Sequence, residues 1–320
     1  MYTTHFLPKI PKELAMHVGS FHTFKEMFQA LRTAKASPDL VAALNMRVSG
    51  GIHVPRDFDT LQEAVSFFEE FPDDSKPISL LRKIRLDGDE EHKQNDDPNI
   101  VTIPRKIIVG EGEHQIDGDY LWIHTTVSIV GDPKEKRGDI DVIGGIKFDK
   151  GIQGNCHLQH LSLRQTMENG VEGKSSFTMD DVLVEQCNGC GVRAYGTGVV
   201  GRLTNVEIGY CIEEGLVANR SAITLNDVEV HHCGLDGVRA SRGAITLTGK
   251  TKVHHNCTIR GYGLHVCTDD ATIQLVFPLT KEEVSFDNGG GGNWGAEDGS
   301  GLFYVEDEDI EKYIKTIGPG

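Results

Sequence analysis

Cysteine and glycine recur in register through the middle of this chain. Cys187, Cys211 and Cys233 stand at spacings of 24 and 22 residues, and each is followed four positions later by Gly191, Gly215 and Gly237. The copies read VLVEQCNGCGVRAYG from Val182, VEIGYCIEEGLVANR from Val206 and VEVHHCGLDGVRASR from Val228. Each has period-2 apolar alternation, a turn and a second short apolar run. Strand, turn and strand repeated in this way specify a solenoid. A unit this short cannot bury its own apolar face; stacking copies at the roughly 4.8 Å spacing of strands makes one continuous core. In a preceding coil Leu161, Leu163 and Thr166 take the places of Val182, Val184 and Cys187. In a later one Asn256 takes the ladder position, with Cys257 displaced by one.

The flanks differ from the repeat. Residues 1–50 carry apolar positions at helical spacing in FKEMFQALRTA and PDLVAALNM, which predicts a short helical arm. IHVPRDFDTLQEAVSFFEEF follows, with Asp59 as the expected N-cap and Leu61, Ala64, Val65 and Phe68 on one stripe. The helix expected over 60–71 is of the kind that caps an open solenoid end. The run DGDEEHKQNDDP from Asp87 reads as a polar surface loop. The β-helix is expected over 51–285, and 286–320 reads as a Gly-rich loop and an acidic tail. Trp122, in a β-rich run, is expected in the core. Asp236, beside Gly237, reads as a turn former.

The chain has 48 Asp and Glu against 32 Lys and Arg, a formal charge of -16, which sets long-range repulsion against nucleic acid and anionic membranes. Neither is expected as a partner. No run of about 18 apolar residues occurs and the first residues lack a signal-peptide pattern, so a cytoplasmic location is expected. Seven cysteines, three of them in the ladder, fit a reducing compartment. Cys187 and Cys190 form a CxxC with no second pair to complete a zinc site, and Gly289–Gly292 lacks the Gly-Lys-Ser/Thr of a phosphate loop. No metal or cofactor is expected.

VPRDFDTLQEAV followed by IIVGEGEHQIDGDYLWIHTTVSIVGDP resembles the entrance of the right-handed parallel β-helix superfamily, the pectin-lyase-like fold. The likeness is to pectin methylesterases and to the carbohydrate-binding and sugar-hydrolysis repeats of periplasmic copper-maturation proteins and some F-box adaptors. It covers roughly residues 54–275 and implies an all-β solenoid with an N-terminal capping helix. The activity motifs of the superfamily are not legible. We find no paired-Asp constellation of the methylesterases, no calcium-binding acidic cluster with Arg of the pectate lyases, and no Tyr, Asp and His group of the alginate epimerases.

If Val228 and Val230 point inward, Glu229 and His231 point outward. Outward columns follow: Glu185, Gly209, His231 and His254; Gln186, Tyr210, His232 and His255 at the turn; Leu183, Glu207, Glu229 and Lys252 on the other side. Should the protein be an enzyme, His231, His254, Tyr210 and Glu229 are the candidates for proton transfer. Glu185, Glu207, His232 and His255 are candidate ligand contacts. A second column, Arg193, Val217, Arg239 and His265, carries two guanidinium groups able to grip a carboxylate or phosphate. The expected function is a non-catalytic binding or scaffolding β-helix that presents side-chain ladders to a polysaccharide or a protein. The alternative is a polysaccharide-active lyase, epimerase or hydrolase working on the His/Glu/Tyr face.

Overall fold

The computed structural model describes residues 44–71, 78–81, 100–297 and 307–318. It divides into two units, one ending at Ile108 and one running from Val109 to Gly320. The arm expected over 1–50 lies outside the described residues apart from a helical turn at 44–48, as do the acidic loop at 87–98 and residues 298–306.

In the first unit, β1 (Ile52–Val54) precedes α1 (Leu61–Glu69), and β2 (Ile78–Leu81) pairs antiparallel with β3 (Ile100–Ile103). The N-cap of α1 is Thr60, one residue after the expected Asp59. Its hydroxyl accepts the Glu63 N–H at 3.2 Å, while the Glu63 carboxylate turns back to the Asp59 N–H at 3.3 Å. Leu61, Ala64, Val65 and Phe68 are buried as the periodicity requires, together with Phe67.

The second unit is a parallel β-helix, and the whole solenoid has about 7 turns. Each coil contributes to three parallel sheets. The first stacks Phe177–Asp180, Gly201–Thr204, Ile223–Asn226 and Ile245–Thr248 in register. The second stacks Leu183–Glu185, Glu207–Gly209, Glu229–His231 and Lys252–His254. The third stacks Val192–Tyr195, Leu216–Asn219, Val238–Ser241 and Leu264–Val266. One residue per coil in the left-handed region bends the chain from the first sheet to the second: His160, Asp181, Asn205 and Asp227. A second set, Gln165, Gln186, Tyr210, His232 and His255, closes the second sheet. Asn, Asp and His tolerate this conformation better than most residues, which accounts for their recurrence at the corners.

The Cys-x3-Gly spacing has a packing cause. A Cβ on Gly191 would lie 2.4 Å from Ile208 Cγ2, 2.7 Å from the Gly215 carbonyl and 3.1 Å from Cys211 Sγ. Gly215 meets Val230, Gly237 and Cys233 in the same way, and Gly237 meets Val253, Gly263 and Asn256. The thiol of one coil thus occupies the space a side chain would need on the coil before, and Asn256 continues the column. Cys233 N–H donates to Asn256 Oδ1 at 3.0 Å, and Asn256 Nδ2 donates to the Val230 carbonyl at 2.9 Å, so the amide enters the core fully bonded. All seven cysteines are free and buried.

Two expectations are corrected. Trp122 is 45 % exposed: in the strand Gly112–Ile123, Leu121 and Ile123 take the inward positions and the indole stands outside, with Lys147 Nζ 4.4 Å from its ring centroid. The ladder also runs past residue 285, because Gly292–Ala296 pairs with Tyr262–Val266 and Ile314–Ile317 pairs with Thr272–Val276. The glycine-rich and acidic composition of the tail hides these two short strands. Among the described residues, no helix is long and apolar enough to cross a membrane.

Candidate functional site

The histidine face forms in the expected register. Gly209, His231 and His254 are consecutive rungs, continued by Phe286, and Glu207, Glu229 and Lys252 run beside them. The rings stack in two columns. His231 and His254 are 5.8 Å apart and His254 and Phe286 5.1 Å, while Tyr210 and His232 are 5.0 Å apart and His232 and His255 5.3 Å. His231 fits because its neighbour is glycine; a Cβ on Gly209 would lie 2.5 Å from His231 Cε1.

The polar atoms of this face are largely spent on one another. His231 Nε2 meets Glu207 at 3.4 Å and His254 Nε2 meets Glu229 at 2.8 Å, while the Nδ1 atoms pair along the chain, His231 with His232 at 3.0 Å and His254 with His255 at 2.7 Å. Glu185 is held by Arg164 at 3.1 Å. Burial and the neighbouring histidines His231, His255 and His254 lower the pKa of His232, which favours an uncharged ring there. Of the candidates on this face, Tyr210, Glu229, His232 and His255 are exposed, while His231 is buried.

The third sheet offers a second polar site. Arg193, Val217, Arg239 and His265 are consecutive rungs, as the sequence predicts. Next to them runs a second column. Gly170 N–H donates to the Cys190 carbonyl, Gly191 to Glu214, Gly215 to Asp236 and Gly237 to Tyr262, so the residues that precede the repeat glycines stack as well. Cys190, Glu214 and Asp236 are buried.

The two columns interlock. Arg239 Nη1 donates to Glu214 Oε1 at 2.6 Å, and its Nε lies 3.0 Å from Cys267 Sγ and 3.8 Å from Asp236 Oδ2. Asp236 Oδ2 meets His265 Nδ1 at 2.7 Å, and Asp236 Oδ1 accepts the Tyr262 N–H at 2.7 Å. His265 Nε2 faces Glu297 Oε1 at 3.4 Å. Burial works against an imidazolium at His265, but the Asp236 carboxylate and Cys267 outweigh it and push the pKa up to about 10. Burial beside Glu214 and Glu213 pushes the Cys190 thiol well above its ordinary range, so it stays neutral and donates to Glu214 Oε2 at 3.3 Å. Asp236, read from sequence as a turn former, is therefore the buried hub of this network.

Two clefts open over these columns. One of about 420 Å³ is bounded by Glu214, Arg239, Arg260, Tyr262, His265 and Glu297. Its neighbour, about 300 Å³, is bounded by Cys190, Arg193, Glu213, Glu214 and Arg239. They share Glu214, Leu235 and Arg239 as walls, so the two form one trough across successive coils. The Tyr262 ring lies 5.1 Å from His265, over Gly291 and Gly295, where a Cβ would come within 2.5 and 2.6 Å of the ring. Two sets of donor atoms suited to a metal ion occur here, each with its atoms within 4.8 Å of one another: His265 with Cys267 and Glu297, and Cys190 with Glu213 and Glu214.

Of the predicted site residues, Arg193 and Arg239 line the trough, whereas Glu185, Glu207, Tyr210, Glu229, His231, His232, His254 and His255 belong to the second sheet and its corner. Sequence reading missed Glu214, Asp236, Tyr262 and Glu297. The usable signal was positional: Cys190, Glu214 and Asp236 each stand immediately before a repeat glycine, and Tyr262 before Gly263.

No protein-family model and no curated protein sequence matches the chain. Among solved structures it is similar to the A-module of the Azotobacter vinelandii mannuronan C-5 epimerase AlgE4, with a TM-score of 0.27 and 9% identity over 67% of this chain and 91% of that one. A likeness this distant transfers no residue and no activity.

Proposed function

We propose that this β-helix binds a polysaccharide along the trough of its third sheet, with the cleft between Arg239 and Tyr262 as the principal subsite. The observation that carries the reading is the Glu214–Arg239 and Asp236–His265 pairing inside an open cleft. Paired charges taken out of water cost about as much as they return in stability, and such groups cluster at binding and catalytic sites. The walls alternate carboxylates with guanidinium and imidazole groups, so donors and acceptors face the trough together. That suits a chain of hydroxyl-bearing rings and disfavours a polyphosphate. Tyr262 supplies an aromatic face beside them. An extended ligand fits because each coil adds another rung to the two columns roughly 4.8 Å further on. The parallel β-helix adds an analogy of fold.

A catalytic reading is favoured by one arrangement. His265, protonated and oriented by buried Asp236, stands next to Tyr262 in the wall of the cleft. This is a proton donor with a second titratable group beside it, the pairing that sugar lyases, epimerases and hydrolases require. The test is incubation with neutral and uronic-acid polysaccharides, following retention on the immobilised polymer, new reducing ends and unsaturated uronate absorbance for wild type and Tyr262→Phe. Retention shared by both, without turnover, supports binding alone. Turnover lost in Tyr262→Phe with retention kept supports catalysis in this cleft. No retention and no turnover across the panel contradicts both and points to a protein partner.

A further inference from the structure

We propose that His265, Cys267 and Glu297 form a binding site for a divalent transition metal of the zinc type, with Asp236 fixing the histidine. The site lies in the cleft described above, but it does not depend on the ligand of that cleft being a polysaccharide.

The local chain explains how the donors meet. His265 and Cys267 are two residues apart at the end of the strand Tyr262–Val266, so alternation sends both side chains to the same outer face. Glu297 directly follows the strand Gly292–Ala296, in which Gly295 is the rung next to His265. The space above that glycine is taken by the Tyr262 ring, which lies beside His265, and His265 Nε2 faces Glu297.

The distances suit a metal better than they suit the bare groups. His265 Nε2 is 3.4 Å from Glu297 Oε1 and 3.8 Å from Cys267 Sγ, with all three donor atoms within 4.8 Å. A tetrahedral zinc with ordinary bond lengths separates an N and an O donor by about 3.4 Å, and an N and an S donor by about 3.6 Å. The contacts are too long for strong hydrogen bonds and close to those of ligands sharing one ion. Cys267 Sγ is also 3.6 Å from His265 Nδ1, so the sulfur stands alongside the ring and turns toward Nε2 to ligate.

The groups behind the donors fit the same chemistry. Asp236 Oδ2, 2.7 Å from His265 Nδ1, holds a proton on Nδ1, so a metal that displaces the Nε2 proton of the imidazolium takes that lone pair while Nδ1 stays bonded to Asp236. Arg239 Nε, 3.0 Å from Cys267 Sγ, donates to the sulfur and orients it. Three protein ligands of mixed N, S and O type leave a fourth position open toward the cleft, the pattern of zinc sites that bind water or substrate.

The test uses the full chain stripped with chelator, loaded with Zn²⁺ or Co²⁺ and passed through a desalting column. The site predicts one retained equivalent of metal and, with Co²⁺, a thiolate-to-metal charge-transfer band. Cys267→Ser loses the band, Glu297→Gln weakens retention, and Asp236→Asn raises the dissociation constant by roughly 10–100-fold. Glu297→Gln, on the more accessible side chain, guards against a variant that fails to fold, and circular dichroism checks each protein. No retained metal in wild type overturns the proposal. So does a band that survives Cys267→Ser or vanishes in Cys190→Ser, which would place the ion at Cys190, Glu213 and Glu214.

Discussion

Asp236 Oδ2 lies 2.7 Å from His265 Nδ1 on the next coil, and both side chains are buried. The pair ties a turn residue of one repeat to a strand residue of the following one, at the place where the trough is most polar. Four predictions follow from this pair and from the repeat that positions it.

The first concerns alkaline stability. The folded pKa of His265 is raised to about 10, above the value of roughly 6.5 for an unfolded histidine. Its contribution is therefore complete below about pH 6.5 and is lost as pH climbs toward 10, because the unfolded state releases its proton first. Urea midpoints should fall from pH 6.5 to 10 in wild type and fall less in Asp236→Asn, whose amide no longer holds the imidazolium. Parallel slopes in the two proteins would contradict the pairing.

On the acid side His232 acts in the opposite sense. Burial and the adjacent histidines lower the pKa of His232. Its contribution is present above about pH 6.5 and is lost as pH falls below that value, where the unfolded chain takes up the proton more readily. His232→Asn should reduce the loss of thermal stability between pH 7 and 5. An unchanged acid profile would contradict a lowered pKa at His232.

Gly215→Ala should destabilise the protein by about 1–3 kcal/mol, the range for forcing extra atoms into a packed interior. The added methyl would meet Val230 Cγ1 at 2.3 Å and the Gly237 carbonyl at 2.7 Å. By contrast, Gly138→Ala meets nothing within 4 Å and should stay close to wild type in a denaturant melt.

Cys211→Asp should cost about 3–5 kcal/mol, because it sets an unpaired carboxylate inside the column where Cys211 is 2 % exposed. Cys211→Ala removes only the sulfur and should cost much less. Equal melting temperatures for Cys211→Asp and wild type would place the side chain outside the core.

Most of the coil geometry was legible because a solenoid converts sequence register into spatial register. Once Cys187, Cys211 and Cys233 are aligned, the neighbours of His231 and Arg239 follow without coordinates, and the observed rungs are those neighbours. The candidate cleft was not legible in the same way. Asp236 and Glu214 sit in turns, where alternation does not say which way a side chain points, and their partners come from coils of unequal length. Trp122 went astray for a related reason: its run carries more apolar residues than the inward positions can take, and Leu121 and Ile123 occupy those. The histidine face drew attention because its residues are titratable. Only their distances show that the carboxylates and rings satisfy each other, as with His254 and Glu229.

The central claim is that ligand occupies the third-sheet trough and not the histidine ladder. The most direct measurement compares retention on the best-binding polysaccharide for two double variants of matched thermal stability, Arg239→Met with Arg260→Ala, and His231→Ala with His254→Ala. Loss of retention in the arginine variant, with wild-type retention in the histidine variant, is the predicted result. Retention kept by the arginine variant and lost by the histidine variant would contradict it.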